Sequence, residues 1–231
     1  MRCWGLARLG QLGAGGIEPD ASSVPVAVLG LSDAIVVSAG GYHTCAVRAT
    51  GDVLCWGSNA KGALGADVVS NSTTPVAVRG LSDAIAVSAG LEHSCAVRRA
   101  GEVRCWGSGA AGRLGDGSGS DAPTPVIVAG LSDAVSVSAG GSHSCALRAT
   151  GQVVCWGGGV TGALGNGMLT TATTPVAVIG LTDAIAVSAG ENHTCAVRAA
   201  GEVLCWGEGN RGQTGQPVFQ SSTTPLVVRG L

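Results

Sequence analysis

Residues 87–115 read VSAGLEHSCAVRRAGEVRCWGSGAAGRLG, and variants of this stretch recur along the chain at intervals of 50 residues. One histidine and one Cys-Trp-Gly triplet in each block recur at this interval. These are His43, His93, His143 and His193, and the triplets that begin at Cys55, Cys105, Cys155 and Cys205. Such a period is the signature of a repeat architecture. We therefore interpret residues 1–231 as a single array, with complete repeats at 31–80, 81–130, 131–180 and 181–230 and a partial repeat at 2–30.

Each block predicts four short strands, which in the block 81–130 cover residues 83–89, 93–97, 102–106 and 125–128. The strands are rich in Val, Ala and Ile and are bounded by glycine. Four strands in about 50 residues are typical of a β-propeller blade. The partial repeat supplies only a third and a fourth strand. The sequence therefore predicts an all-β protein of about four and a half blades, an incomplete or open propeller with 18 strands.

The residues that recur in every block also resemble those of a known family. The order Val-Ser-Ala-Gly, His-Ser-Cys-Ala-Val, Cys-Trp-Gly and Leu-Gly, at 87–90, 93–97, 105–107 and 114–115, resembles the repeat of the regulator of chromosome condensation family. The cysteine pair resembles a bacterial variant of that repeat. The resemblance implies a propeller, usually seven-bladed, that presents loops to protein partners. Family members range from a nucleotide exchange factor for a nuclear GTPase to a bacterial inhibitor of β-lactamase, so the family predicts fold better than function.

Nine cysteines are an odd count. In the hairpin around residues 49–51, counting outward from a three-residue loop places Cys45 opposite Cys55 at a non-hydrogen-bonded position, within disulfide range. The sequence thus predicts one disulfide per complete repeat and a free thiol at Cys3. The disulfide cysteines are Cys45, Cys55, Cys95, Cys105, Cys145, Cys155, Cys195 and Cys205.

Two other interpretations of the cysteines remain open. The first is that they are reduced thiols that pack as small apolar side chains. The second is a metal site formed by His43, Cys45 and Cys55, which is one ligand short of a closed set. We expect instead that each histidine is hydrogen-bonded within its own blade, and we predict neither a metal nor a cofactor.

Composition excludes several classes of protein. A net charge of −2 lacks the basic excess of a nucleic-acid binder, so no nucleic-acid partner is predicted. The charge-free stretch at 149–182 is interrupted by glycine, threonine and proline, so it predicts no membrane span. Hydrophobic residues make up 45% of the chain, which is enough to bury a core.

Paired cysteines predict an extracellular, cell-surface or periplasmic location. The first 16 residues contain no apolar signal-peptide core, so this location requires that a native upstream segment is absent and that the chain is a fragment. If the chain is complete, a cytoplasmic protein with reduced thiols is the expectation. Cys3 lacks a preceding second strand, and the open blade ends allow self-association.

Residues present in every block are expected to be scaffold. We interpret the aspartates at 33, 83, 133 and 183 as turn caps, the arginines at 48, 98, 148 and 198 as solvent-facing strand ends, and the tryptophans at 56, 106, 156 and 206 as packed between blades. Repetition leaves no unique catalytic set, so we predict no catalytic residue and no enzyme.

Function is expected where the blocks differ, which is in the connections between first and second strands and between third and fourth strands. Both connections emerge on one face, and the long ones cover 66–72, 116–122, 166–172 and 216–222. The candidate binding residues there are Tyr42, Asp67, Glu92, Arg113, Asp116, Asp121, Met168, Glu191, Asn192, Arg211 and Phe219. We predict a non-enzymatic scaffold that binds a protein or other macromolecule through this face. The alternatives are an inhibitor of a secreted hydrolase, a guanine-nucleotide exchange factor and a metal-binding protein.

Overall fold

The computed structural model describes residues 1–17, 19–216 and 219–230. The chain forms one two-stranded sheet followed by four antiparallel four-stranded sheets, and each larger sheet is built from one 50-residue block. The half-blade consists of β1 (Arg2–Leu6) and β2 (Ala21–Ala27). The first blade consists of β3 (Ala34–Ala39), β4 (His43–Arg48), β5 (Val53–Gly57) and β6 (Ser72–Ala77).

The remaining three blades repeat this plan. The second contains β7 (Ala84–Ala89), β8 (His93–Arg98), β9 (Val103–Gly107) and β10 (Ala122–Ile127). The third contains β11 (Ala134–Ala139), β12 (His143–Arg148), β13 (Val153–Gly157) and β14 (Ala172–Ala177). The fourth contains β15 (Ala184–Ala189), β16 (His193–Arg198), β17 (Val203–Gly207) and β18 (Ser222–Val227). The described residues thus hold the 18 strands that the sequence predicts, in blades that do not close a ring.

The fourth strand of each blade begins earlier than predicted. In the second blade β10 covers Ala122–Ile127, whereas the sequence predicted 125–128. Its pairing with β9 shifts register between Ala122 and Val126, and two prolines lie inside that irregular stretch. Proline lacks an N–H donor, so it is tolerated in an outer strand and at a bulge. The prediction was too short because it began the strand at Pro125, the second of these two prolines.

The hairpin between second and third strands has the predicted register. Val47 lies opposite Val53, and Cys45 lies opposite Cys55. Gly51 ends the loop with φ +95°, a conformation in which a side chain would be strained, and its N–H donates to the Arg48 carbonyl. The cross-strand cysteines form four disulfides, with Cα atoms 4.0–4.1 Å apart. They are Cys45–Cys55, Cys95–Cys105, Cys145–Cys155 and Cys195–Cys205.

The hydrophobic core is distributed over the joints between blades. In the joint between the first and second blades, Cys45, Val47 and Leu64 pack against Val87 and Trp106 of the next blade. Trp106 is fully buried, and its indole N–H donates to the Ala63 carbonyl of the preceding blade at 2.9 Å. The predicted position of the repeated tryptophans between blades is confirmed. Full burial of such a side chain contributes at least about 2 kcal/mol.

The other repeated polar residues form ion pairs that the sequence interpretation missed. Nε of Arg48 donates to the Asp33 carboxylate at 2.9 Å, and the arginine side chain is only about one-third exposed (35%). The same pair recurs as Asp83–Arg98, Asp133–Arg148 and Asp183–Arg198. The arginines are therefore not free solvent-facing strand ends, because the antiparallel pairing of first and second strands places each one beside the aspartate 15 residues earlier.

Candidate functional site

The two faces of the array are distinguished by their connecting loops. Ser58 N–H donates to the Tyr42 carbonyl at 2.8 Å, so the first-to-second and third-to-fourth connections of a blade lie together. Ala84 N–H donates to the Gly51 carbonyl at 3.0 Å, so the hairpin loop and the connection between blocks lie at the other end. We call the first end the variable face, which comprises residues 40–42, 58–71 and their equivalents, and the second end the constant face.

Beneath the variable face, three of the four histidines reach across a joint to the next blade. His43 Nε2 lies 2.7 Å from Ser94 Oγ, His93 Nε2 lies 2.8 Å from Ser144 Oγ, and His143 Nε2 lies 2.8 Å from Thr194 Oγ1. The prediction of a hydrogen bond within the blade was wrong. The histidine begins the second strand on the surface that the following blade covers, so its nearest hydroxyl belongs to that blade.

The direction of these hydrogen bonds follows from the second partner of the hydroxyl. Ser94 Oγ donates to the Ala63 carbonyl at 3.3 Å, which leaves its lone pairs to accept from His43 Nε2–H. The same carbonyl accepts the indole N–H of Trp106. Each joint between two complete blades therefore holds a histidine and a carbonyl from one blade and a hydroxyl and an indole from the next.

Burial keeps these histidines neutral. Loss of hydration lowers the pKa of His43 and His143 to about 4, and it lowers the pKa of His93 well below its usual value. The disulfides use the Sγ atoms of Cys45 and Cys55, so neither sulfur is available as the thiolate that the alternative metal site requires. Among residues 1–17, 19–216 and 219–230, no group of three or more His, Cys, Asp or Glu side chains is arranged to hold a metal ion.

A shallow funnel opens on the variable face where the inner strands of the four blades converge. It has a volume of about 270 Å³ and is lined by glycine and alanine from every blade, with Leu91 and Glu191 at its rim. Gly41 N–H donates to the Gly90 carbonyl at 3.0 Å, and Leu91 N–H donates to the Gly140 carbonyl at 3.2 Å. A Cβ at Gly140 would overlap the Gly190 carbonyl, so the blades approach closely only with glycine there.

Most of the predicted binding residues are exposed on the variable face. Tyr42 is 47% exposed and Phe219 is 75% exposed. Met168, Asp67, Asp121, Glu191 and Arg211 are also exposed, whereas Glu92, Asp116 and Asn192 are partly buried. Asp67 pairs with Arg79 at 3.1 Å and Asp121 pairs with Lys61 at 3.2 Å, so two of the acids are compensated within the chain. In the predicted loop 216–222, residues 217 and 218 lie outside the described residues.

Arg113 is the exception, because its side chain is buried (8% exposed). Its Nε donates to the Ala110 carbonyl at 2.9 Å and its Nη1 donates to the Gly141 carbonyl of the next blade at 3.1 Å. Burial lowers the pKa of its guanidinium, which nearby Glu92 partly offsets. Sequence reasoning placed Arg113 on the surface because its long connection is exposed, but that connection folds back into the joint between blades.

The sequence interpretation missed several exposed apolar side chains on the same face. Val69, Val160 and Leu169 are more than half exposed, and Leu91 is 40% exposed at the rim of the funnel. The sequence could have predicted them, because each is an apolar residue at a loop position whose residue type differs between blocks. Apart from Met168 and Asn192, the predicted candidates are charged or aromatic residues.

Two further predictions concern the free thiol at Cys3 and the absence of a membrane span. Cys3 is the free cysteine among the described residues; it is partly buried, and burial raises the pKa of its thiol. Across the described ranges 1–17, 19–216 and 219–230, no helix is long and apolar enough to cross a membrane.

Comparison with known proteins supports the propeller fold described above. A family model described as RCC1-like domain matches residues 1–230. The structure of Prp20p from Saccharomyces cerevisiae superposes with a TM-score of 0.85 at 26% identity, covering 98% of this chain and 58% of Prp20p. Human WBSCR16 superposes with a TM-score of 0.88 at 22% identity and shows the same fold, with 98% of this chain and 62% of that protein covered.

A curated relative matches a shorter stretch. Human alsin is 42% identical over 62 residues, which are 27% of this chain and 4% of alsin. The chain therefore spans less than two-thirds of the length of each of these proteins.

Proposed function

Because the chain belongs to the RCC1-like domain family, we propose that it is a non-enzymatic β-propeller scaffold that binds a protein partner through the variable face. The observation that carries the proposal is the contrast between the two ends of the blades. The variable face exposes single-copy apolar side chains such as Tyr42, Met168 and Phe219. The constant face repeats the same Asp–Arg pair in every blade.

The scaffold beneath that face is well suited to presenting loops. Each complete blade carries a disulfide between its second and third strands, and buried hydrogen bonds join each complete blade to the next. Rigid support lowers the entropic cost of ordering a binding surface. Exposed aromatic side chains on such a surface are typical anchors of protein interfaces.

The test compares two composite variants by titration against a purified partner. The first carries Tyr42→Ser, Met168→Ser and Phe219→Ser on the variable face. The second carries Ile35→Ser, Ile85→Ser and Ile185→Ser near the constant face, where these side chains are 64%, 40% and 62% exposed. We expect the first to lose at least about 100-fold in affinity, since anchor residues contribute about 2 kcal/mol or more each. Equal losses in both variants would refute the proposal.

The four disulfides favour a partner in an oxidising compartment, so the extracellular space, the cell surface or the periplasm is the proposed location. An inhibitor of a secreted hydrolase is the version of the proposal that this location favours. Inhibition of a panel of secreted hydrolases, with the composite variable-face variant as the inactive control, tests that version. Thiol trapping in the native host tests the location.

A second candidate is suggested by Prp20p, a protein studied for its binding to Gsp1p and histones. Two features of this chain weigh against a similar role. Every complete repeat has the same length of 50 residues, so no inserted element projects from a blade, and the net charge is −2. A nucleotide-exchange assay on small GTPases tests this candidate directly, and accelerated nucleotide release would favour it over the hydrolase inhibitor.

A further inference from the structure

A groove runs along one edge of β1, between the half-blade and the inner strands of the first blade. Its volume of about 390 Å³ lies within the range of about 300–1,000 Å³ that is typical of ligand sites. Arg2, Cys3, Trp4, Val37 and Thr44 are among the residues that line it, and we call it the β1 groove. In the described residues β1 pairs with β2 alone, so the edge of β1 that borders the groove carries no strand.

This edge of β1 presents backbone hydrogen-bonding groups to the groove. On the side of β2, the Met1 carbonyl accepts from the N–H of Val28 at 3.2 Å. Because successive residues of an antiparallel strand direct these groups to alternate sides, those of Arg2 and Trp4 point into the groove. In the first blade, the equivalent edge of β5 pairs with β4. The edge of β1 can therefore accept one further antiparallel strand.

The groove also leaves an apolar side chain of the first blade uncovered. Val37 is 54% exposed, whereas its repeat equivalents Val87 and Val137 are only 6% and 9% exposed. In the joint between the first and second blades, Val87 belongs to the same apolar cluster as Cys45 and Val47 of β4, the second strand of the preceding blade. A strand that carries cysteine and valine two positions apart is therefore suited to cover Val37.

Thr44 lacks the hydrogen-bond donor that its repeat equivalents have. It is only 5% exposed, and its hydroxyl donates to the Gln11 carbonyl at 3.1 Å. The equivalent hydroxyls of Ser94, Ser144 and Thr194 each lie 2.7–2.8 Å from a histidine Nε2 of the preceding blade. Within the described part of the chain no histidine bonds to Thr44, so its Oγ1 retains lone pairs that can accept a donor placed in the groove.

The position of Cys3 sets the register of an added strand. Cys3 occupies the place on β1 that Cys55 occupies on β5. Cys55 lies opposite Cys45 of β4. On that strand His43 precedes Cys45 by two residues and Val47 follows it by two. The three alternate positions that face the first blade therefore have the order His-x-Cys-x-Val.

We propose that the β1 groove binds an extended segment of a partner protein with the order His-x-Cys-x-Val, which pairs antiparallel with β1. The histidine donates to Thr44, the cysteine lies opposite Cys3, and the valine covers Val37. Main-chain hydrogen bonds supply affinity in this mode of recognition, and alternate side chains supply specificity. A second copy of the chain is not the occupant, because β4, β8, β12 and β16 each pair within their own blade. The inference goes beyond the proposed function, since it concerns the edge of a sheet and a different class of contact.

The experiment measures thiol exchange between the full chain and a capped peptide with the sequence of β8, His-Ser-Cys-Ala-Val-Arg, whose cysteine carries thionitrobenzoate in a mixed disulfide. The Cys3 thiolate attacks the peptide sulfur, a new S–S bond joins Cys3 to the peptide, and thionitrobenzoate leaves with the electron pair of the broken bond. We expect the rate of release to saturate, with a half-maximal peptide concentration on the order of 0.1 mM. Mass spectrometry should place one peptide per chain, on Cys3.

A control peptide has proline in place of the alanine, which removes one N–H from the pairing with β1. At low concentration it should react at least about tenfold more slowly. Equal rates for the two peptides, a rate that does not saturate, or attachment at another cysteine would overturn the proposal.

Two variants of the chain locate the site. Val37→Asp places a charge where the peptide valine packs and should slow exchange at least about tenfold. Val24→Asp is the matched control, because Val24 is similarly exposed (63%) but lies on the outer strand β2, and it should leave the rate unchanged. Equal rates in the two variants contradict the assignment.

A second measurement distinguishes slow exchange from absent binding. A peptide with alanine in place of cysteine cannot exchange, and it should shift the amide resonances of Arg2 and Trp4 in the isotope-labelled chain. Replacement of its histidine by leucine should weaken binding to the parent about tenfold but should not weaken binding to Thr44→Val, because the hydrogen bond needs both partners. Unchanged β1 amides refute the proposal. A Cys3–Cys3 dimer that excludes the peptide also refutes it and assigns the groove to a second copy.

Discussion

His43 and Ser94 are separated by 51 residues and belong to different blades, yet Nε2 of the first lies 2.7 Å from Oγ of the second in a fully buried joint. The pair is equivalent to His93–Ser144 and His143–Thr194, so it is a regular means of joining blades. Leaving a buried donor without its acceptor costs more free energy of folding than the hydrogen bond itself contributes. Removal of the Ser94 hydroxyl is therefore a sensitive test of the joint.

Ser94→Ala should destabilise the protein by about 1–3 kcal/mol, because it leaves His43 Nε2 and the Ala63 carbonyl with fewer partners. Urea unfolding monitored by tryptophan fluorescence measures the change. Ser70→Ala is the matched control, since Ser70 is exposed in a loop of the variable face, and it should change stability by less than about 0.5 kcal/mol. If both variants unfold at the same urea concentration, the joint does not depend on this pair.

Stability should fall as the pH is lowered from about 6.5 towards about 4. The pKa of buried His43 and His143 is lowered from 6.5 to about 4, so the unfolded chain binds more protons within this range. Their contribution is present above the unfolded pKa and is lost as the pH falls through the folded pKa. Urea midpoints at pH 7 and pH 4.5 measure the loss.

His43→Asn serves as the comparison for the pH experiment. It should be less stable than the parent at pH 7 and should show a shallower loss down to pH 4.5, because one of the titrating groups has been removed. The hydrogen bond from Arg48 lowers the pKa of the Asp33 carboxylate, so that pair weakens only in more acidic solution. A pH dependence confined to values below about 3.8 would assign the effect to the carboxylates instead.

Gly65→Ala should be more destabilising than Gly80→Ala by about 1–3 kcal/mol. Both glycines have nearly the same positive φ, +64° and +68°, so both variants carry a similar backbone cost. A Cβ at Gly65 would lie 2.7 Å from Nε1 of Trp106, whereas a Cβ at Gly80 meets nothing within 4 Å. Thermal unfolding of the two variants isolates the contact with the tryptophan, and equal losses would show that only φ matters.

The oxidised protein should accept one alkylating group per chain after unfolding without reductant, at Cys3, and nine after reduction. Intact mass spectrometry counts the groups. Replacing Cys95 and Cys105 together by alanine should cost about 2 kcal/mol, at the low end for a disulfide because the cross-link closes only a short loop. Nine groups without reductant would mean that the cysteines are reduced thiols in solution.

The sequence predicted what depends on neighbours within one block. Short-range spacing in the sequence predicts the 50-residue period, the hairpin around Gly51 and the position of Cys45 opposite Cys55. The structure confirms all three. The sequence did not predict the acceptor of His43. The serine or threonine that precedes the cysteine in every complete block looks the same in the sequence whether its hydroxyl bonds within its own blade or to the preceding one. Only the packing of the sheets distinguishes the two.

The burial of Arg113 was missed for a related reason. A charged residue in a glycine-rich loop is exposed in most proteins, and nothing local indicates that two backbone carbonyls from different blades accept its N–H groups. The prediction that the two variable connections of a blade share one end is confirmed. The apolar members of the variable face, such as Val69 and Val160, were overlooked because charge and aromaticity were given more weight than exposed aliphatic surface.

The joint between blades also has a consequence for how the chain can change in length. Each complete blade presents a histidine and a carbonyl to the blade that follows it and a hydroxyl and an indole to the blade that precedes it. Every disulfide lies inside one blade, so no covalent bond between side chains links a blade to a particular neighbour. Duplication or deletion of one 50-residue unit would therefore leave compatible surfaces at the new junction. An array built in this way can gain or lose blades during evolution without redesign of its core.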